Sequence, residues 1–365
     1  MVKTKKIDEE KVKDILVIGI GAGIGDVLLF TPALKSLKKA FLSAKITLIC
    51  DPTASRYVLE GSSYIDEIIV VDRALSFSFS KYVMYFLDVL KFSIRLRKKK
   101  FDLSIWMFPS EGIRKELINL IIGSKYRLGH RPKNRKFTFY NFSTTAPIDT
   151  HIVEHNLNLL KLIGIDTFED KLFMQIPEED KKFADTFFKK NDLFLEDPII
   201  GFHPGCVKNV SCKRWEKEKF LELAKRLEDR YNSKLLFFIG PDEKEIMAYF
   251  KDSGTIEPIF VTDTTIRQTA ALIKKCNLFI SNDSSLMHIA SAMDVFVIGI
   301  FGPSNPKESG PWSKKHIIIK KDISCSPCIR HKQFMNCTDR TCLKEITVEN
   351  IMDAVDSQKS ILGVK

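Results

Sequence analysis

Gly23-Ile24-Gly25-Asp26, with Thr31-Pro32 close behind, is the first place where this sequence offers chemistry. The group follows the apolar run Ile15–Ile20 directly. An apolar run that ends in glycines and opens into a helix is the pattern of a phosphate-facing βα turn. The dinucleotide fingerprint needs a third glycine, but that position is Ile24 counted from Gly19 and Asp26 counted from Gly21. A carboxylate at a helix N-terminus suits the helix dipole, yet it would repel a pyrophosphate bound there. The turn therefore reads as a holder for a carboxylate acting as catalytic base, with a plain helix cap as the competing reading. A second acid, Asp51, ends the strand-like Lys45–Cys50 about where a Rossmann fold keeps its ribose-binding acid. A nicotinamide-dependent oxidoreductase is thus a distant alternative.

The second half carries a complementary set. Ser281-Asn282-Asp283-Ser284-Ser285-Leu286-Met287-His288 reads as a strand end, a polar turn and the first turn of a helix. Asp283 or Ser284 can cap that helix, and the amides at Ser284, Ser285 and Leu286 can face a phosphate, with two serine hydroxyls added. His288 can reach phosphate or ribose, or serve structure alone. Lys213 or Arg214, ahead of another helix, supplies the fixed positive charge that a leaving pyrophosphate needs. In Gly240-Pro241-Asp242-Glu243, Glu243 is the preferred acceptor for ribose hydroxyls.

The elements that must position these residues alternate. Strands are expected at Ile15–Ile20, Lys45–Cys50, Glu67–Val71 and Asp102–Met107, with helices at Pro32–Phe41, Lys81–Lys98, Gly112–Ile122 and His155–Ile163. After a linker at Lys171–Pro177 the style repeats, with strands at Pro198–His203, Lys234–Ile239, Asn277–Ser281 and Val295–Phe301. Helices are expected at Trp215–Arg230, Thr265–Cys276, Ser285–Met293 and Thr347–Leu362. This is an α/β protein with two doubly wound Rossmann-like domains facing an interdomain cleft. The domains are drawn at 1–175 and 176–346, with 347–365 a helix packing back on the body.

At 365 residues, 44% hydrophobic and 28% charged, the chain suits two globular domains. No stretch has the apolar length of a bilayer span. The N-terminus, Met1-Val2-Lys3-Thr4-Lys5-Lys6, lacks a signal-peptide core, so a cytoplasmic location is expected. The net charge of +11 is concentrated in part at Arg95–Lys100 and at His130–Lys136, which suit an anionic surface or substrate as readily as a solvated face. A nucleic-acid partner is not expected, because no RNA- or DNA-binding signature accompanies the charge.

Taken in order, Gly25-Asp26 with Thr31-Pro32, His203-Pro204-Gly205, Lys213-Arg214-Trp215, Asn282-Asp283 through His288, and Phe301-Gly302-Pro303 resemble glycosyltransferase family 9, the ADP-heptose:lipopolysaccharide heptosyltransferases. The resemblance runs from about residue 15 to 355. It implies the GT-B architecture, an acceptor-binding first domain, an ADP-sugar-binding second domain, and inverting transfer without a covalent intermediate. By that analogy Asp26 is the base, Lys213 binds phosphate, Glu243 binds ribose, and Asp283 to His288 hold diphosphate and sugar. The chain departs from the pattern at Ser284-Ser285, where relatives carry Thr-Gly, and across Cys206–Cys212. Gly25, Arg131, Lys133 and Arg135 are the candidates for an anionic, lipid-linked saccharide acceptor at the inner membrane face. The same fold with another nucleotide sugar or acceptor is the alternative.

Cys325, Cys328, Cys337 and Cys342 fall within eighteen residues. That spacing suits a structural zinc or iron site, and reduced thiols or disulfides are the other readings. No cofactor is expected for catalysis, since no Asp-x-Asp carboxylate cluster is present.

Overall fold

A computed structural model describes residues 6–52, 54–71, 79–108, 111–166, 170–328 and 337–363. The segment Met1–Lys5, read above for a signal peptide, lies outside the described residues. The chain divides into two compact units, Met1–Phe173 and Met174–Lys365. The C-terminal segment belongs to the second unit.

The first unit runs β1 (Asp14–Gly19), α1 (Ile24–Ala40), β2 (Lys45–Cys50), β3 (Glu67–Val70), α2 (Phe79–Arg97), β4 (Leu103–Trp106), α3 (Ile113–Ile122), β5 (Tyr126–His130), β6 (Phe142–Thr144) and α4 (Ile152–Lys161). Its strands form one six-stranded sheet, ordered β3-β2-β1-β4-β5-β6 and parallel throughout. From Ile15 to Gly19, and along the whole of β4, every residue is buried. A parallel sheet covered on both faces requires such near-continuous apolar strands.

The second unit runs α5 (Glu178–Lys190), β7 (Ile199–His203), α6 (Lys217–Tyr231), β8 (Lys234–Phe238), α7 (Lys244–Asp252), β9 (Ile259–Val261), α8 (Ile266–Ile273), β10 (Leu278–Asn282), α9 (Ser285–Ala292), β11 (Phe296–Phe301), α10 (Pro306–Ser309), β12 (His316–Lys320), α11 (Thr341–Lys344) and α12 (Val348–Asp356). Its sheet is ordered β12-β11-β10-β7-β8-β9. Phe202 stacks on Phe237 at 4.9 Å in its core, and Trp215 and Phe250 close around them. The Trp215 indole N–H donates to the Ile346 carbonyl at 3.0 Å, and Arg226 forks onto Glu349 at 2.7 and 2.6 Å. These bonds fasten α12 to α6.

Both sheets thus have the same doubly wound order. The strand order reverses between β1 and β4 and again between β7 and β10, and ligands bind such sheets at the carboxyl ends of those strand pairs.

The helices α5 and α7 were not expected from the sequence, and α1 starts at Ile24, eight residues before its expected start, and carries Pro32 inside it. A proline in a helix leaves the carbonyl four residues back without its donor. Here that carbonyl is Leu28 O, and the Thr31 hydroxyl donates to it at 2.6 Å. Thr31 also accepts from the Phe173 amide at 2.9 Å. The Thr-Pro pair is therefore a device that lets a proline sit in a helix and ties that helix to the end of its unit. The strands β5, β6, β9 and β12 were not expected from the sequence; β6 and β9 span three residues each, too short to show periodicity.

Candidate functional site

At the first switch point, a small pocket is lined by Ile18, Gly19, Ile20, Ala22, Asp26, Met107 and Phe108. Asp26 is held there by its own helix start. Its carboxylate accepts the amide of Gly23, the N-cap of α1, at 2.9 Å. The cap reading of Asp26 is thus geometrically real, and it leaves the side chain half-exposed at the pocket. Gly25 lies one residue before it in α1. Gly21 turns the chain with φ +86°, and its amide donates to Asp51 Oδ2 at 2.6 Å. Asp51 is 1% exposed. The acid that kept a ribose site open in the first unit instead fastens the glycine turn.

Behind Phe108 lie two buried histidines. His130 donates from Nε2 to the His155 carbonyl at 3.2 Å, and both rings pack on Phe108 at 4.8 and 4.5 Å. Burial first, then the neighbouring His155, pulls His130 down to about 3, so it is neutral.

The expected acceptor residues follow β5 and have unequal surroundings. Lys133 is exposed, and Arg131 donates to the Arg135 carbonyl at 2.8 Å. Arg135 makes an ion pair with Glu116, whose side chain is fully buried. Glu116 also accepts from Thr138 Oγ1 at 2.8 Å and from the Phe139 amide at 2.9 Å. Arg135 therefore holds the 131–139 loop in place. The other basic run is also partly engaged, with Lys99 paired to Glu67 and Arg97 donating to the Ile121 carbonyl at 3.1 Å.

At the second switch point the motifs of the second half converge. Asn282, the last residue of β10, donates to the Pro204 carbonyl at 2.7 Å and accepts from the Trp215 amide at 3.0 Å. One buried side chain thus joins the ends of β7 and β10 to the start of α6. Lys213, raised on a short 3₁₀ turn, donates to Asp283 Oδ2 at 2.6 Å, with the two side chains 16% and 6% exposed. Arg214 donates to the Cys206 carbonyl at 2.6 Å.

Ser284 is the N-cap of α9 but makes no side-chain cap hydrogen bond, and its hydroxyl lies 3.1 Å from Ser281 Oγ instead. Ser284 thus leaves uncapped the amides of the first turn, which a helix leaves without intrahelical partners. Ser284, Ser285 and Leu286 are half-exposed there, and His288, one turn in, is 5% exposed. Amides and dipole at a helix start, beside a lysine ammonium, are the groups from which an anion site can be built.

Glu243 is 4% exposed and accepts the Gly240 amide at 2.8 Å, with His203 Nδ1 3.9 Å away. A Cβ on Gly205 would lie 1.7 Å from Glu243 Oε1, so the His-Pro-Gly turn has glycine because a carboxylate occupies that space.

The cysteine cluster packs beside this site. The Cys328 amide donates to the Pro303 carbonyl at 2.9 Å, and Ser326 Oγ to the Gly302 carbonyl at 2.7 Å. Burial, then the neighbouring Cys328, Cys325 and Cys337, pushes the Cys342 thiol up to about 11. Among the described residues no three His, Cys, Asp or Glu side chains stand close enough together to hold a metal ion. As placed, the four cysteines are neighbours and not a ligand set. The connection between Cys328 and Cys337 includes residues 329–336, which lie outside the described residues.

Sequence reasoning quoted Asn282 within its motif without giving it a task, and it missed Glu116 altogether. A lone glutamate in an ordinary helix carries no signal of the arginine it will meet nineteen residues on.

Comparison with known proteins gives the family and the fold. The family model of glycosyltransferase family 9 (heptosyltransferase) matches residues 89–338. The lipooligosaccharide heptosyltransferase 2 of Campylobacter jejuni is 25% identical, over 91% of this chain and 95% of that protein. The structure of a glycosyl transferase family 9 protein from Veillonella parvula superposes with a TM-score of 0.77 at 27% identity, covering 98% of this chain and 99% of that one. The structure of the E. coli ADP-heptose lps heptosyltransferase II gives a TM-score of 0.70 at 23% identity, covering 94% and 98%, and so speaks for the shared GT-B fold. The chain belongs to glycosyltransferase family 9.

Proposed function

We propose that this protein is an inverting transferase that moves heptose from ADP-heptose to an acceptor sugar of the lipopolysaccharide inner core. The observation that carries the reading is the second switch point. Lys213, fixed by Asp283, stands with the uncapped amides of α9, and a buried Glu243 lies against Gly205. An ammonium with amides suits a diphosphate, and a carboxylate suits ribose hydroxyls. The names of the Campylobacter and E. coli relatives supply the heptose and the ADP.

In the reaction, Asp26 takes the proton from an acceptor hydroxyl as that oxygen bonds to the anomeric carbon. The bond from the anomeric carbon to the diphosphate oxygen breaks, and ADP leaves with the electron pair. Lys213, Arg214 and the amides at Ser284–Leu286 meet the charge that develops on ADP. A positioned base contributes about 10²–10⁴ in rate, and preorganised charge at the leaving group a comparable share.

Arg131 and Lys133 serve an anionic, lipid-linked acceptor, while Arg135 supports them through Glu116. No helix among the described residues is long and apolar enough to cross a membrane. Contact with the inner membrane is proposed as peripheral and electrostatic, and therefore sensitive to salt.

Calorimetry with ADP-heptose, UDP- and GDP-sugars and NADH tests the donor. Selective binding of ADP-heptose is expected. Preference for another nucleotide sugar would leave the family intact and overturn the heptose assignment. Asp26→Asn should keep wild-type donor affinity and lose about 10²–10⁴ in kcat. Near-normal turnover would leave Asp26 as a helix cap only.

A further inference from the structure

Helix α3 turns polar residues inward and apolar residues outward. It buries Glu116, Asn119 and Ile122, whereas Ile113, Leu117 and Leu120 are 49%, 38% and 36% exposed. The inward polar pair has its partners inside the unit. Asn119 Oδ1 accepts from Ser104 Oγ at 2.5 Å, and Glu116 takes Arg135, Thr138 and the Phe139 amide. The outward three fall at i, i+4 and i+7 and so form one stripe, with half-exposed Ile121 alongside. Exposed apolar side chains are ordinary when scattered, but a row of them on one helix face marks a contact surface.

The surroundings of that row are cationic. Arg114, in the first turn of α3, and Lys125, just past its end, are exposed. Glu116 fastens the 131–139 loop to the helix, and the loop presents Lys133, Lys136 and a 62% exposed Phe137. Between residues 111 and 139 eight lysines and arginines stand against two glutamates, and one of those, Glu116, is already paired with Arg135.

We infer, given the peripheral membrane contact proposed above, that the outer face of α3 with the 131–139 loop is the surface that docks on an anionic lipid bilayer. The apolar row enters the interface and the cations meet the headgroups, so the contact has a part that salt does not screen. Charge favours a bilayer over a second copy of the chain. A two-fold interface sets one patch against itself, which would press Arg114, Lys125 and Lys136 against their own copies, whereas anionic headgroups complement them. Helix α3 also starts a few residues after Met107 and Phe108, which line the Asp26 pocket, so docking here holds a lipid-linked acceptor near that pocket.

The test is co-sedimentation with vesicles of phosphatidylethanolamine and phosphatidylglycerol, and with vesicles of phosphatidylcholine alone. Wild type is compared with Ile113→Gln/Leu117→Gln/Leu120→Gln, with Arg114→Gln/Lys136→Gln and with Leu42→Gln. Glutamine is a good helix former, so the triple variant should keep the wild-type unfolding temperature. Leu42, 80% exposed just after α1, is the control for an apolar side chain elsewhere. Wild type should bind the anionic vesicles and keep part of that binding in high salt. The triple variant should partition about tenfold to a hundredfold less and lose the salt-resistant part. The charge variant should lose about fivefold for each cation at low salt, and Leu42→Gln should match wild type. Equal binding by the triple variant and wild type overturns the α3 surface and leaves peripheral contact standing. Wild type that binds no anionic vesicle overturns both. A wild-type dimer in ultracentrifugation that the triple variant breaks gives the face to a second copy and overturns the inference. Turnover of ADP-heptose with deacylated, soluble acceptor should be unchanged in the triple variant; a raised acceptor KM there makes the face a saccharide site and overturns docking. Vesicle binding needs no donor, so a failed heptose assignment leaves this test intact.

Discussion

Adding one methyl group at Gly205 should affect the nucleotide site through Glu243. An ideal Cβ there would lie 1.7 Å from Glu243 Oε1 and 2.0 Å from Cδ. The carboxylate cannot yield slightly, because it is 4% exposed and holds the Gly240 amide at 2.8 Å. In Gly205→Ala it must swing away, leaving that amide without its partner. Overpacking and an unmet buried donor each cost about 1–3 kcal/mol. If Glu243 accepts ribose hydroxyls, its displacement also removes hydrogen bonds to a charged group, at about 1.5–3 kcal/mol. That corresponds to roughly tenfold to 150-fold in the Kd for ADP, at about 1.4 kcal/mol per decade.

Thermal unfolding and calorimetry with ADP read the two effects separately. The double variant Gly205→Ala/Glu243→Ala sharpens the test, because the alanine then finds space and not a carboxylate. Its loss of stability should be smaller than the sum of the two single losses, and its ADP affinity should equal that of Glu243→Ala. An ADP affinity unchanged in Gly205→Ala, with stability lowered, would refute Glu243 as the ribose acceptor. Unchanged stability would refute the close packing itself.

Arg135→Ala should destabilise the protein by about 3–5 kcal/mol, because it strands a buried Glu116; Lys133→Ala, at an exposed position, should leave the unfolding temperature in place and raise the acceptor KM in steady-state assays. His130 is neutral in the fold, with its pKa depressed from 6.5 to about 3. The unfolded state therefore binds more protons than the folded state between those values. Its contribution is full above pH 6.5 and falls by up to about 1.4 kcal/mol per unit as the pH drops towards 3. Denaturant titrations of wild type and His130→Phe across that window should show a shallower acid loss in the variant. Elemental analysis of the purified protein should find less than one equivalent of zinc or iron; an equimolar metal lost in Cys325→Ser/Cys328→Ser would establish a metal site at the cysteine cluster.

The sequence by itself determined the two doubly wound units and most of their strands. Continuous apolar runs such as Ile15–Ile20 and Val295–Phe301 are what a parallel sheet covered on both faces demands. It also singled out the turns that carry chemistry, because glycine, serine and acid at a strand end leave few local explanations. What it could not decide was which charged groups are already committed. Arg135 and Lys133 look alike in a basic run, yet one meets a buried Glu116 and the other meets water. Asp51 resembles a ribose acid until the Gly21 amide is found 2.6 Å from it. Thr31-Pro32 was legible as a motif, but only the helix around it shows that the hydroxyl replaces the donor that proline lacks. The reason is common to all three. Strand and helix patterns come from neighbours in sequence, whereas a charge or a hydrogen bond is assigned by partners that only the packed chain brings within reach.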